Sequence, residues 1–224
     1  MGTGAPVTLR TPLILLALTN LAFLGMRLWP WPEVMNLPLN GATGIDPAVC
    51  LVAYAGLIFW IATTKDLAVK SALQAGSMLG LLAGAVLFAQ VMFKTQPSAA
   101  EVPHSAVIRV GLLLAAGLIW GIAGLQGSKA GGSAGLGILA GLWSAMVSCL
   151  MACSAVLVQM SLATGPVPVS NDPWKQYEGL AIGNAATQSL VNSLNAATWF
   201  LLVGPIAGGV LGLFFGLFGQ SEKN

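Results

Sequence analysis

Charge is what this chain has least of. Nine Lys and Arg, seven Asp and Glu and a single His are spread over 224 residues, so charged side chains make up 7% of the sequence. A soluble globule carries roughly 25%. With 56% hydrophobic residues, the chain has too little polar material to cover itself in water, and it needs lipid as its solvent. The net charge of +2 has no basic patch behind it, which excludes nucleic acid as a partner. Three cysteines, Cys50, Cys149 and Cys153, all sit in apolar runs, so no disulfide framework is expected.

The apolar runs are long. Crossing about 30 Å of hydrocarbon takes roughly 20 helical residues, and six stretches approach or exceed that length: 12–29, 47–63, 71–93, 105–125, 134–163 and 196–218. The expected fold is therefore all-α, a single-domain polytopic helix bundle of about six transmembrane helices. No small-x-small cleavage site follows the first run, so it reads as a retained span rather than a signal peptide. Thr11-Pro12, Asp46-Pro47 and Asp172-Pro173 punctuate three helix starts, with a capping side chain ahead of a proline suited to the first turn.

Basic residues near span ends tend to stay cytoplasmic. Placing both termini inside puts Arg10, Lys65, Lys70, Lys129 and Lys223 on that face, against Arg27, Lys94, Arg109 and Lys175 outside. This small bias leads us to expect a multi-pass protein of the cell membrane with cytoplasmic amino and carboxyl termini. Segments 30–46, 94–104 and 164–195 then lie outside, the first of them proline-rich, with Trp31 inside it and Trp29 just before it. Trp29, Trp31, Trp60, Trp174 and Trp199 fall near span ends and read as interfacial anchors. Trp120 and Trp143 lie deeper and are expected to pack against glycine grooves.

The stretch "GNAATQSLVNSLNAATW" at 183–199 carries the most specific pattern. An unbroken helix from Pro173 to 218 would be about 69 Å long, more than twice the hydrocarbon thickness. A separate amphipathic outer helix near 173–195 is the expected solution. On it, Asn184, Gln188, Asn192 and Asn195 fall within roughly 80° of arc at about 100° per residue. A lipid-binding interfacial helix would present Lys or Arg there. Uncharged amides instead suit hydrogen bonding to protein, to water or to a neutral ligand, so these four residues form the candidate ligand or partner face.

Small residues recur at every fourth position in three spans. Gly204, Gly208, Gly212 and Gly216 line the last, Ala72, Gly76, Gly80 and Gly84 the third, and Ser133, Gly137, Gly141, Ala145, Cys149 and Cys153 the fifth. Such grooves let helix backbones approach closely in lipid. Packing within the chain is the default expectation, with self-association or other membrane subunits as further partners.

Catalytic constellations fail on inspection. "GGSAG" at 131–135 fits G-x-S-x-G with Ser133 as nucleophile, yet that motif needs a preceding strand and a histidine partner, and His104 is expected on the opposite side. "GLGILAG" at 135–141 lacks a βαβ setting for nucleotide binding. Two thiols without nearby His or carboxylate make an incomplete metal site. No catalytic residue, no metal and no cofactor is expected.

The spans contain no Asp or Glu, whereas ion-coupled transporters usually place a carboxylate at membrane depth. Their polar content is neutral: Asn20, Gln74, Gln90, Gln159, Ser144 and Ser148. Arg109 lies about one turn into a span, suited to snorkelling or to contact with a pore or anionic ligand. The function expected from these features is that of a non-catalytic accessory or scaffold subunit that associates through glycine-striped helices. The alternative is a channel or facilitator for a small neutral solute.

Overall fold

The structure, a computed structural model, describes residues 10–29, 46–62, 66–94, 105–162 and 185–221. Within them the chain forms six helices: α1 (Arg10–Leu28), α2 (Asp46–Ala62), α3 (Leu67–Lys94), α4 (Ser105–Gly131), α5 (Ala134–Leu162) and α6 (Ala185–Ser221). There is no strand among the described residues. Lipid offers backbone N–H and C=O groups no partners, so apolar segments of this kind satisfy them internally as helix.

Among the described residues, four helices are long and apolar enough to cross a membrane: α3, α4, α5 and α6. Helices α1 and α2 are apolar but shorter, with 19 and 17 residues. Seventeen residues at 1.5 Å each make about 25 Å, a little less than the hydrocarbon thickness.

Local sequence explains the ends. Asp66 starts α3: its carboxylate accepts the Ala68 N–H at 2.8 Å and its carbonyl the Lys70 N–H at 3.0 Å. Between α4 and α5, Gly132 adopts φ 71°, a left-handed conformation open to glycine, and its N–H returns to the Ser128 carbonyl at 2.7 Å. Ser133 then caps α5, its Oγ accepting the Leu136 N–H at 3.3 Å. The G-x-S-x-G match is thus a helix stop followed by a helix start.

Helix α5 is the centre of the bundle. It packs on α1, α3, α4 and α6, and 72% of its apolar span is buried, against 39% for α3, 22% for α4 and 33% for α6. Glycine makes this possible. A Cβ placed on Gly76 of α3 would lie 2.7 Å from the Ala140 carbonyl, and one on Gly80 2.8 Å from the Ser144 carbonyl, both on α5. From α6, a Cβ on Gly212 would lie 2.6 Å from the Gly137 carbonyl, and one on Gly208 2.7 Å from that of Gly141. These pairings run α5 parallel to α3 and antiparallel to α6. Cα–H groups face carbonyl oxygens where no side chain fits, a contact worth about 0.5–1 kcal/mol. Helices α1 and α2 pair with each other and meet this core at α5 and α6, respectively.

One expectation is corrected here. Residues 185–195 do not form a helix separate from the last span; they are its first turns, within the 37 residues of α6. The physical reason is that no glycine or proline interrupts the chain from Ala185 to Val203. Residues 173–184, including the Asp172-Pro173 start and Asn184, lie outside the described residues. Pro205 sits inside α6, which continues through it to Ser221.

Gly212→Leu is expected to drive α5 and α6 apart and lower stability by about 1–3 kcal/mol, the usual cost of overpacking. Gly56→Leu on α2, where an added Cβ would meet nothing within 4 Å, should leave it unchanged. Reversible unfolding in mixed detergent–SDS micelles measures both.

Candidate functional site

The amide stripe comes first. Gln188, Asn192 and Asn195 lie on the opening turns of α6. Asn192 is exposed and Asn195 half-buried, while Leu194, Ala197, Thr198 and Leu201 are buried against the bundle. Successive residues step by 100°, so Asn192 stands nearly opposite this buried face.

At membrane depth, polar groups find partners across helices. Asn20 of α1 is 3% exposed; its Nδ2 donates to the Leu150 carbonyl at 3.1 Å. Ser154 Oγ lies 2.9 Å from Asn20 Oδ1 and 3.0 Å from the Leu150 carbonyl, so one hydroxyl proton faces two acceptors. Gln159 Nε2 donates to the Val91 carbonyl, tying the ends of α5 and α3 together. Tyr54 Oη of α2 donates to the Leu201 carbonyl of α6 at 2.8 Å.

Both deep indoles use the same arrangement. Trp120 Nε1 donates to Ser148 Oγ at 2.9 Å, and Ser148 donates onward to the Ala145 carbonyl at 2.9 Å. Trp143 Nε1 donates to Ser77 Oγ at 2.7 Å, and Ser77 donates to the Leu73 carbonyl at 2.8 Å. An indole N–H buried in lipid needs an acceptor, and a serine one helix away supplies it while its own proton returns to its helix. Trp143 also lies against the Gly76 groove, its Cδ1 3.2 Å from where a Cβ would stand. Trp120 packs among small residues that include Ala83, Ala116, Ala145 and Cys149. Sequence reasoning missed Ser77, although its place beside Gly76 in the small-residue stripe was a usable signal.

Among the described residues, two buried side-chain polar atoms stay unpaired. Ser144 Oγ is buried without a hydrogen bond, and so is Gln90 Oε1. Gln74 is exposed on α3, outside this network. Arg109 is half-buried and engaged in an interaction about one turn into α4. Because α3 and α5 run opposite to α4 and α6, the bundle brings Gln90, Arg109, Gln159, Asn192 and Asn195 to one end. Ser144 lies instead on the α5 turn that faces Gly80.

The nine striped glycines are placed together. Gly76, Gly80 and Gly84 abut α5; Gly204, Gly208, Gly212 and Gly216 abut α5 from the other side; Gly137 and Gly141 are the positions that receive α6. Cys50, Cys149 and Cys153 are free and buried, and no group of three or more metal-ligating side chains occurs among the described residues. No protein-family model matches this chain, and comparison with curated proteins and with solved structures finds no match.

Ser148→Ala is expected to lower stability by about 1–3 kcal/mol, because it leaves the Trp120 indole N–H buried without an acceptor. Ser144→Ala removes a hydroxyl that has no partner and should be neutral or stabilising. Unfolding midpoints of the two variants, read alongside tryptophan emission, check the contrast.

Proposed function

We propose that this chain is a non-catalytic, multi-pass subunit of the cell membrane, an accessory or scaffold that holds a partner through the projecting start of α6. In this reading all six helices cross the bilayer, α1 and α2 at slight mismatch, and both termini face the cytoplasm. One observation carries the proposal. Helix α6 has 37 residues, about 55 Å at 1.5 Å each, so a continuous helix outruns the hydrocarbon by several turns. Those turns present an exposed, uncharged Asn192 on the side away from the bundle.

The interior supports the same conclusion. Its glycines contact neighbouring helices of the same chain, and most of its polar groups bond within the chain. Association with other membrane subunits then falls to the outward faces and to the α6 extension rather than to the glycine stripes. A second reading, a channel or facilitator for a small neutral solute, draws on the unpaired Ser144 Oγ and Gln90 Oε1 and on the half-buried Arg109. It is the weaker reading, since Ser144 faces Gly80 along α5, away from the end that Gln90 and Arg109 share, and no continuous polar path joins them among the described residues.

The double substitution Gln188→Leu/Asn192→Leu separates the two. A docking face loses a stoichiometric partner in native mass spectrometry of gently extracted protein, while the bundle keeps its unfolding midpoint. A pore mouth changes solute flux into liposomes with bound proteins unaltered. If both assays match the parent chain, neither reading survives and the amides form a solvated face.

A further inference from the structure

Proline carries no N–H, so Pro205 leaves one carbonyl of α6 without its helical donor, that of residue 201. In lipid such an oxygen has no water to turn to. The structure gives it a donor from another helix: Tyr54 Oη of α2, 2.8 Å from the Leu201 carbonyl. Tyr54 is 7% exposed and Leu201 2%, so the pair is sealed in the core with Ile58 and Cys50.

We infer that Tyr54 replaces the missing Pro205 N–H and thereby latches the α1–α2 pair to a proline hinge in α6. Three observations converge. Pro205 sits inside α6, where it removes a backbone bond and crowds the preceding turn, the usual setting for a bend. The capping hydroxyl comes from the pair of helices with the sparsest contacts to the core. A second polar tie, Asn20 Nδ2 to the Leu150 carbonyl at 3.1 Å, joins that pair to the core from α1. Departure of α2 would strand the Leu201 oxygen in an apolar setting, and bending of α6 at Pro205 would carry that oxygen away from Tyr54. The two motions are therefore coupled through this hydrogen bond.

Hydrogen–deuterium exchange of the full chain in nanodiscs tests the latch, using Tyr54→Phe, Pro205→Ala and the double variant. With Pro205 present, Tyr54→Phe should speed exchange about tenfold in 46–62 and 196–210 together, with α3 and α5 little changed. Pro205→Ala restores the N–H that the Leu201 carbonyl lacks, so adding Tyr54→Phe to it should change exchange less than about threefold. Pro205→Leu restores the same N–H and serves if the alanine variant does not accumulate. An equal effect of Tyr54→Phe in both backgrounds would overturn the inference, reducing the contact to an ordinary hydrogen bond. So would acceleration spread evenly over all helices, or none at all.

Discussion

The closeness of the α5 backbone to its neighbours is the constraint on which the rest of the bundle depends. At Gly76, Gly80, Gly208 and Gly212 the space where a Cβ would stand is occupied by carbonyls of α5 or their immediate surroundings. Apolar side chains gain nothing by leaving lipid tails, so helices in a membrane are held by contact and by hydrogen bonds rather than by hydrophobic expulsion. Contact at this range needs hydrogen in place of a side chain, repeated each turn on the same face. The glycine stripes supply that repeat from two sides, and α5 becomes the most buried helix because it receives both.

Close packing in turn decides how polarity is handled. Trp120 of α4 fits against α5, and Trp143 of α5 against α3, because the residues opposite them are small, and a small polar residue there, serine, answers the indole N–H without enlarging the gap. Each serine proton returns to its own helix at i−3 or i−4, so two donors are satisfied by one hydroxyl and one carbonyl. Asn20 brings the same economy to the α1 interface, donating to the Leu150 carbonyl and accepting from Ser154. The unbonded Ser144 Oγ, on the same helix as Ser148, marks where this pattern stops.

The periphery follows different rules. Helices α1 and α2 carry no glycine groove against the core: Gly25 and Gly56 both face open space. Their attachment rests on buried apolar residues such as Leu24, Leu51 and Ile58 and on the Asn20 and Tyr54 hydrogen bonds. Helix α6 belongs to both regimes, bound to α5 through its glycines and, at 37 residues, longer than the hydrocarbon of a bilayer requires.

The sequence by itself determined the class of the protein and most helix limits. A composition with so few charges suits lipid better than water, and a long apolar run that starts at Asp46-Pro47 is readable as a helix that begins there. The glycine spacing was equally readable, because a period of four residues is a property of one helix. Only the tertiary structure decided which helix each groove faces, since nothing in a stripe names its partner. It also decided that Ser77 answers Trp143 across 66 positions and Tyr54 answers Leu201 across 147. A separate helix near 173–195 is expected because an unbroken one from Pro173 to 218 would be about 69 Å long, more than twice the hydrocarbon thickness. Residues 185–195 instead continue α6, since no glycine or proline weakens the helix between Ala185 and Val203 and amide side chains are compatible with it.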